Sequence, residues 1–157
     1  MTDRELVLST LKKAGRLAAE SLQGRAPEMT GTEVVAEKDF LPDFDPKRQY
    51  LNYKVGYVCQ SPKGNAVKLL QPYDSTIYTG EPEELAAQWG FYWSTDPKEA
   101  KPFLSSSTSP YMTNDCCTHG GHVWRSGQDN NVWAPGTINV KWTDLGTIQE
   151  VMNQYGE

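Results

Sequence analysis

The residue types best suited to ligand chemistry crowd into one short stretch. "GGHVWRSGQDNNVWAPG", residues 120–136, sets Trp124 and Trp133 on either side of a polar, turn-forming run. Trp124 falls on an expected hairpin strand, where an indole can pack on one face. Trp133 follows "GQDNN" and precedes Ala134-Pro135-Gly136, so its ring is carried by a loop. A large apolar ring on a loop is more informative than one on a strand. Three uses are open to it: contact with a ligand, burial at an interface, or return into the core. A flat indole stacks on the apolar C–H face of a sugar ring, and polar neighbours satisfy the hydroxyls. Here those neighbours are Arg125, Gln128, Asp129, Asn130 and Asn131.

Other chemistries find weaker footing. "CCTHGGH", Cys116 to His122, raises zinc and a Cys–His nucleophile pair. Adjacent residues on a strand point to opposite faces, so Cys116 and Cys117 cannot readily share an ion. Small buried thiols beside a turn are the expectation, with no metal and no cofactor. Carboxylates gather at Glu37, Asp39, Asp43 and Asp45, and again at Glu81, Glu83 and Glu84. A glycosidase needs two carboxylates across a cleft, and these read instead as a solvated surface. Phosphate-binding glycine loops and GxSxG are absent from the sequence. The expected protein is not an enzyme.

Bulk properties narrow the partners. The chain has 157 residues, a net charge of −5, a mean hydropathy of −0.63 and five tryptophans. A broad nucleic-acid footprint is not expected at that charge. No run approaches the length of a membrane span, and no apolar signal core opens the chain. Three cysteines make a sparse, odd set that suits synthesis in a reducing cytoplasm. Residues 1–50 carry 17 of the 35 charged side chains, whereas 102–157 carry seven. The neutral, aromatic C-terminal third suits a neutral polar ligand or a protein interface.

The elements that must position these residues are short. Thr2-Asp3-Arg4-Glu5 reads as a capping box. Val7, Leu11, Ala14 and Ala18 follow as one apolar stripe of a helix that Gly24 caps and Pro27 stops. An isolated helix of that length is marginal in water, so the stripe is expected to pack outside its own domain. Residues 25–49 read as a connector, with a short strand at Glu33 to Ala36. From Tyr50 the pattern is strands between turns: "YKVGYVCQ" and "AVKLLQP" form a hairpin, "PEELAAQW" gives a helical turn, and "STDPKEAKPF" and "SSSTSP" are loop.

The hairpin pattern then returns. Aligning Tyr53 with Tyr111 sets Gly56 on Asn114 and Cys59 on Cys117; with one residue inserted in the first copy, Gly64 falls on Gly121 and Val67 on Trp124. Tyr78 falls near Trp133 and Trp89 near Trp142, which are expected to close each unit from its centre. Two related units follow, roughly 50–93 and 108–146. The expected fold is mainly β: an N-terminal helix (1–24), the connector, and two small β-rich modules at 50–104 and 105–157.

The second unit, "YMTNDCC", "GHVWRS", "VWAPG" and "KWTDLG", resembles the small chitin-binding-like carbohydrate-binding modules of families 5 and 12. The first, "YKVGYVC", "GNAVKLLQP", "YTGEP" and "AAQW", is similar but has Val67 at an aromatic position. The whole chain also resembles accessory proteins of tailed phages and prophages of Gram-positive bacteria. These resemblances imply a virion component, head- or tail-associated, assembled in the cytoplasm of the host. Its partners would be host cell-surface polysaccharide, other virion proteins and further copies of itself through the helix. They imply carbohydrate contacts from Trp133, Trp124, Tyr111, Asn130, Asn131, Asp129, Arg125 and Tyr78. The alternative is a structural decoration protein that uses the same fold for protein contacts.

Overall fold

The structure is a computed structural model that describes residues 1–156. Its first helix, α1 (Asp3–Arg25), opens on the expected capping box. Thr2 Oγ1 accepts from the Glu5 amide at 3.1 Å, and the Glu5 carboxylate accepts from the Thr2 amide at 2.7 Å. The stop differs from expectation. Gly24 stays helical and the chain runs into a 3-10 turn, Ala26–Glu28. Proline fits there because the first turn of a helix leaves its N–H groups unpaired anyway. Leu22 is the one fully buried side chain of α1, while Val7 and Leu11 keep 56% and 62% of their surface in solvent.

The expected strand at Glu33–Ala36 is helical. It lies in α2 (Gly31–Ala36), where Thr30 and Glu33 form a second reciprocal cap. Two paired amides at a helix start outweigh the β preference of Val34-Val35. Both valines are buried against Leu22, Ala26, Leu41, Val58 and Ala66. The span read as a connector is therefore folded onto the first sheet. Gly31 makes this possible: a Cβ at that position would overlap the Trp93 carbonyl oxygen.

Two sheets follow. In the first, β1 (Val58–Gln60), β2 (Ala66–Leu69) and β3 (Trp89–Phe91) are antiparallel in that order. In the second, β5 (Cys116–His119), β6 (His122–Ser126) and β7 (Trp142–Thr147) are antiparallel, and β4 (Lys101–Pro102) joins β5 in parallel. So β4, from a stretch read as loop within the first module, belongs to the second sheet. A closing helix, α3 (Ile148–Tyr155), is capped by Thr147 and buries Val151 against Cys116 and Val123.

The fold is not mainly β. About 31% of residues are helical and 19% are in strands. The strands run only two to six residues because long loops, packed through aromatic rings, do much of the space filling.

One aromatic core spans both sheets. Phe44, Tyr50, Tyr73, Trp89, Phe91, Trp93 and Tyr111 pack with Cys59, Val67, Leu69 and Cys117. Trp89 is fully buried at its centre and donates Nε1–H to Tyr73 Oη at 3.0 Å. Polar stitches cross between the sheets. The Phe91 amide donates to Ser109 Oγ at 2.8 Å, Trp93 Nε1–H to the Ser109 carbonyl at 2.7 Å, and the Cys116 amide to the Ser94 carbonyl at 2.9 Å.

Candidate functional site

The loop from Gly127 to Lys141 leaves β6 and returns to β7, and it is held at both ends. The Gly127 amide donates to the Lys141 carbonyl at 2.8 Å, and the Lys141 amide to Gln128 Oε1 at 2.9 Å. Its middle is clamped by Asn131 and Tyr111, whose backbones exchange two hydrogen bonds of 2.8 Å each. Asn130 and Asn139 take left-handed φ values of 52° and 67°, which asparagine tolerates better than most residues. The loop is thus fixed by backbone and side-chain hydrogen bonds around a buried Asn131.

Trp133 sits on this frame. Its amide donates to Asn131 Oδ1 at 3.2 Å and its carbonyl accepts Trp142 Nε1–H at 2.8 Å, yet 48% of the residue is exposed. A fixed backbone under a free indole is a rigid apolar surface. Further along the loop Ile138 is 85% exposed, a second apolar group that no core contact explains. Sequence reasoning passed over it, although one isoleucine within "PGTIN" was the visible signal.

The other expected residues divide. Trp124 is half-buried on β6 opposite Cys117, with Nε1–H donated to the His119 carbonyl at 3.0 Å. Asp129 and Asn130 are exposed. Asp129 Oδ1 accepts the Thr113 amide at 2.9 Å, which holds its carboxyl below the usual range. The Asn130 amide approaches Met112 Sδ at 3.5 Å, bringing an exposed methionine beside this end of the loop.

Three expectations need correction. Tyr111 is fully buried, stacked on Trp93 at 4.4 Å, and its hydroxyl accepts the Leu104 amide, so it has no face for a ligand. Asn131 is also fully buried and holds the loop, its amide donating to Ser126 Oγ at 3.1 Å. Arg125 lies on the opposite face of β6 from Trp124, because strand side chains alternate. It faces the Cys116 side, where its charge works against the upward shift of that thiol. Tyr78 is exposed but lies in the loop between β2 and β3, edge-on to Tyr73 at 6.3 Å.

Trp142 packs edge-on to Tyr111 at 5.4 Å and Phe103 at 6.2 Å, and it supports the loop rather than facing outward alone. The cysteines serve packing. Cys116 faces Val123 and Val151 while Cys117 faces the aromatic core. Burial pushes the Cys59 and Cys117 thiols up to about 12, far from nucleophilic thiolates at neutral pH. His122 Nδ1 lies 2.9 Å from Asp144 Oδ1 on the β6–β7 pair, which holds the Asp144 carboxyl low.

No protein-family model, curated protein or solved structure matches this chain.

Proposed function

We propose that this protein is a non-enzymatic binding component of a phage particle that holds host cell-surface polysaccharide through the Trp133 loop. One observation carries the reading: a half-exposed indole stands on a backbone already fixed by its own hydrogen bonds. Binding to such a surface spends little ordering entropy. Exposed Asp129 and Asn130 in the same loop supply acceptors and donors for hydroxyls. Stacking on a single ring gives weak affinity per site, and repetition on a particle raises it by avidity.

The reading includes two related units, each like a small chitin-binding module. Several correspondences support it. Gly56 and Asn114 share left-handed φ values of 93° and 79°, and their amides donate to the last residues of β2 and β6, Leu69 and Ser126. The Phe44 amide donates to the Gln60 carbonyl as the Phe103 amide does to that of Thr118. Phe44, Tyr50 and Trp89 repeat the geometry of Phe103, Tyr111 and Trp142, a stacked pair met edge-on by an indole. On this match Tyr50, not Tyr53, is the counterpart of Tyr111.

The test is a titration with chitin fragments and cell-wall polysaccharide, read by tryptophan fluorescence. Saturable quenching in the parent and its loss in Trp133→Ala are expected. No response to any glycan would reject the reading. It would favour the second one, in which a neighbouring virion protein covers the exposed side chains of Trp133, Ile138 and Met112.

A further inference from the structure

Glu83 departs from the solvated acidic surface expected of Glu81, Glu83 and Glu84. It sits in a 3-10 turn, Pro82–Glu84, against the Ser61–Asn65 turn that joins β1 to β2. Its Oε1 accepts the Ser61 hydroxyl and, at 2.9 Å, the Asn65 carboxamide N–H. The Asn65 backbone amide in turn donates to Ser61 Oγ at 3.1 Å. Ser61 and Asn65 are only 4% and 6% exposed, so this network is interior.

Two oxygens of the network are left over. Glu83 Oε2 and Asn65 Oδ1 are buried and accept no hydrogen bond. Reversing the Asn65 carboxamide does not help, because an oxygen would then face Glu83 Oε1. Such orphans cost free energy unless a water or an ion meets them. Charge separates these two occupants. Among the described residues no ion pair includes Glu83. A water would pair the oxygens but leave the carboxylate charge unmatched, whereas a cation does both. A second carboxylate shares the neighbourhood. Besides burial, Asp43 and Glu83 both push the Cys59 thiol up, against the pull of Arg48.

We propose that a calcium-type divalent cation binds between Glu83 Oε2 and Asn65 Oδ1 and completes its shell with water. Both donors are oxygens, the set that hard cations prefer. Their two groups are hydrogen-bonded to each other, so one ion can touch both free oxygens. An open groove lined by Asp43, Gln60, Ser61 and Gly64 gives a way in beside Ser61. Calcium accepts irregular shells, whereas magnesium demands a near-ideal octahedron. No three His, Cys, Asp or Glu side chains converge among the described residues. The site is therefore weak, with a Kd of roughly 10⁻⁴–10⁻³ M. Bound there, the ion ties the β1–β2 turn to the loop between β2 and β3. The site shares no residue with the Trp133 loop and does not rest on the sugar reading.

Calorimetric titration of the chelator-treated full chain with calcium chloride, at constant ionic strength, tests the site. One saturable ion per chain is expected. Calcium at about 10 mM should raise the melting temperature by about 5 °C over sodium chloride of equal ionic strength. Glu83→Gln should lose both responses. Its new carboxamide can donate to Asn65 Oδ1, so the variant should melt no lower than the calcium-free parent, which separates lost binding from lost folding. No saturable binding to the parent would overturn the proposal and leave a buried water on the two oxygens. Binding or a melting shift that survives in Glu83→Gln would also overturn it, because the acidic surface at large would then be the ligand.

Discussion

Gly31 and Asp115 show how much rests on single positions outside any ligand surface. Gly31 lets α2 approach the Trp93 carbonyl, and Thr32 Oγ1 accepts the Thr95 amide beside it at 2.9 Å. Gly31→Ala must push these segments apart, at a cost of about 2 kcal/mol on the scale of overpacked sites; thermal melting would register the drop. Asp115 is mostly buried near Asp129, and burial raises its carboxyl to about 6. Its native proton is held more tightly than the unfolded chain's. Its contribution therefore favours folding below the usual carboxylate range and is lost as pH rises through about 6. Asp115→Asn keeps an acceptor for the Met112 amide and should exceed the parent's stability at neutral pH by about 1 kcal/mol after solvent screening. The gain should vanish below pH ~4, a crossover that denaturant titrations at several pH values would reveal.

At the scale of elements, local capping decides more than β preference. α2 is six residues long and carries adjacent valines, yet reciprocal Thr30–Glu33 hydrogen bonds start it and buried contacts keep it. Thr30→Ala removes that cap and should cost about 1 kcal/mol, visible as a lower denaturant midpoint with an unchanged slope. α3 uses half of this device: Thr147 Oγ1 accepts the Glu150 amide, while the Thr147 hydroxyl, not its amide, donates to the Glu150 carboxylate. Its periodic Ile148, Val151, Met152 and Tyr155 were legible in the sequence but passed unread behind the strand pattern. α1 was readable from its first turn, whereas its end was not, because Gly24 and Pro27 also fit a helix continuing into a 3-10 turn.

For the whole molecule the shared aromatic core implies one cooperative unit. Trp89 of β3 and Trp93 just beyond it pack with Tyr111 and Cys117 of the second region, and Ser94 and Ser109 tie the two regions together. Denaturant unfolding followed by tryptophan fluorescence and by far-UV dichroism should give one coincident transition. Two separated transitions would show that the sheets fold as independent modules.

The sequence by itself determined what depends on neighbours along the chain: the Thr2–Glu5 cap that opens α1, the hairpins, and a tryptophan carried on a polar loop. Tertiary structure decided what depends on neighbours in space. Tyr111 and Asn131 had the right chemistry for a sugar contact, but the fold buries both. Arg125 stood next to Trp124 in sequence and lies across the sheet from it, because that adjacency puts the two side chains on opposite faces. The connector's valines and Phe44 became core only when β1 and β2 supplied a surface to cover. Burial belongs to the packed whole, and no single stretch of residues carries it.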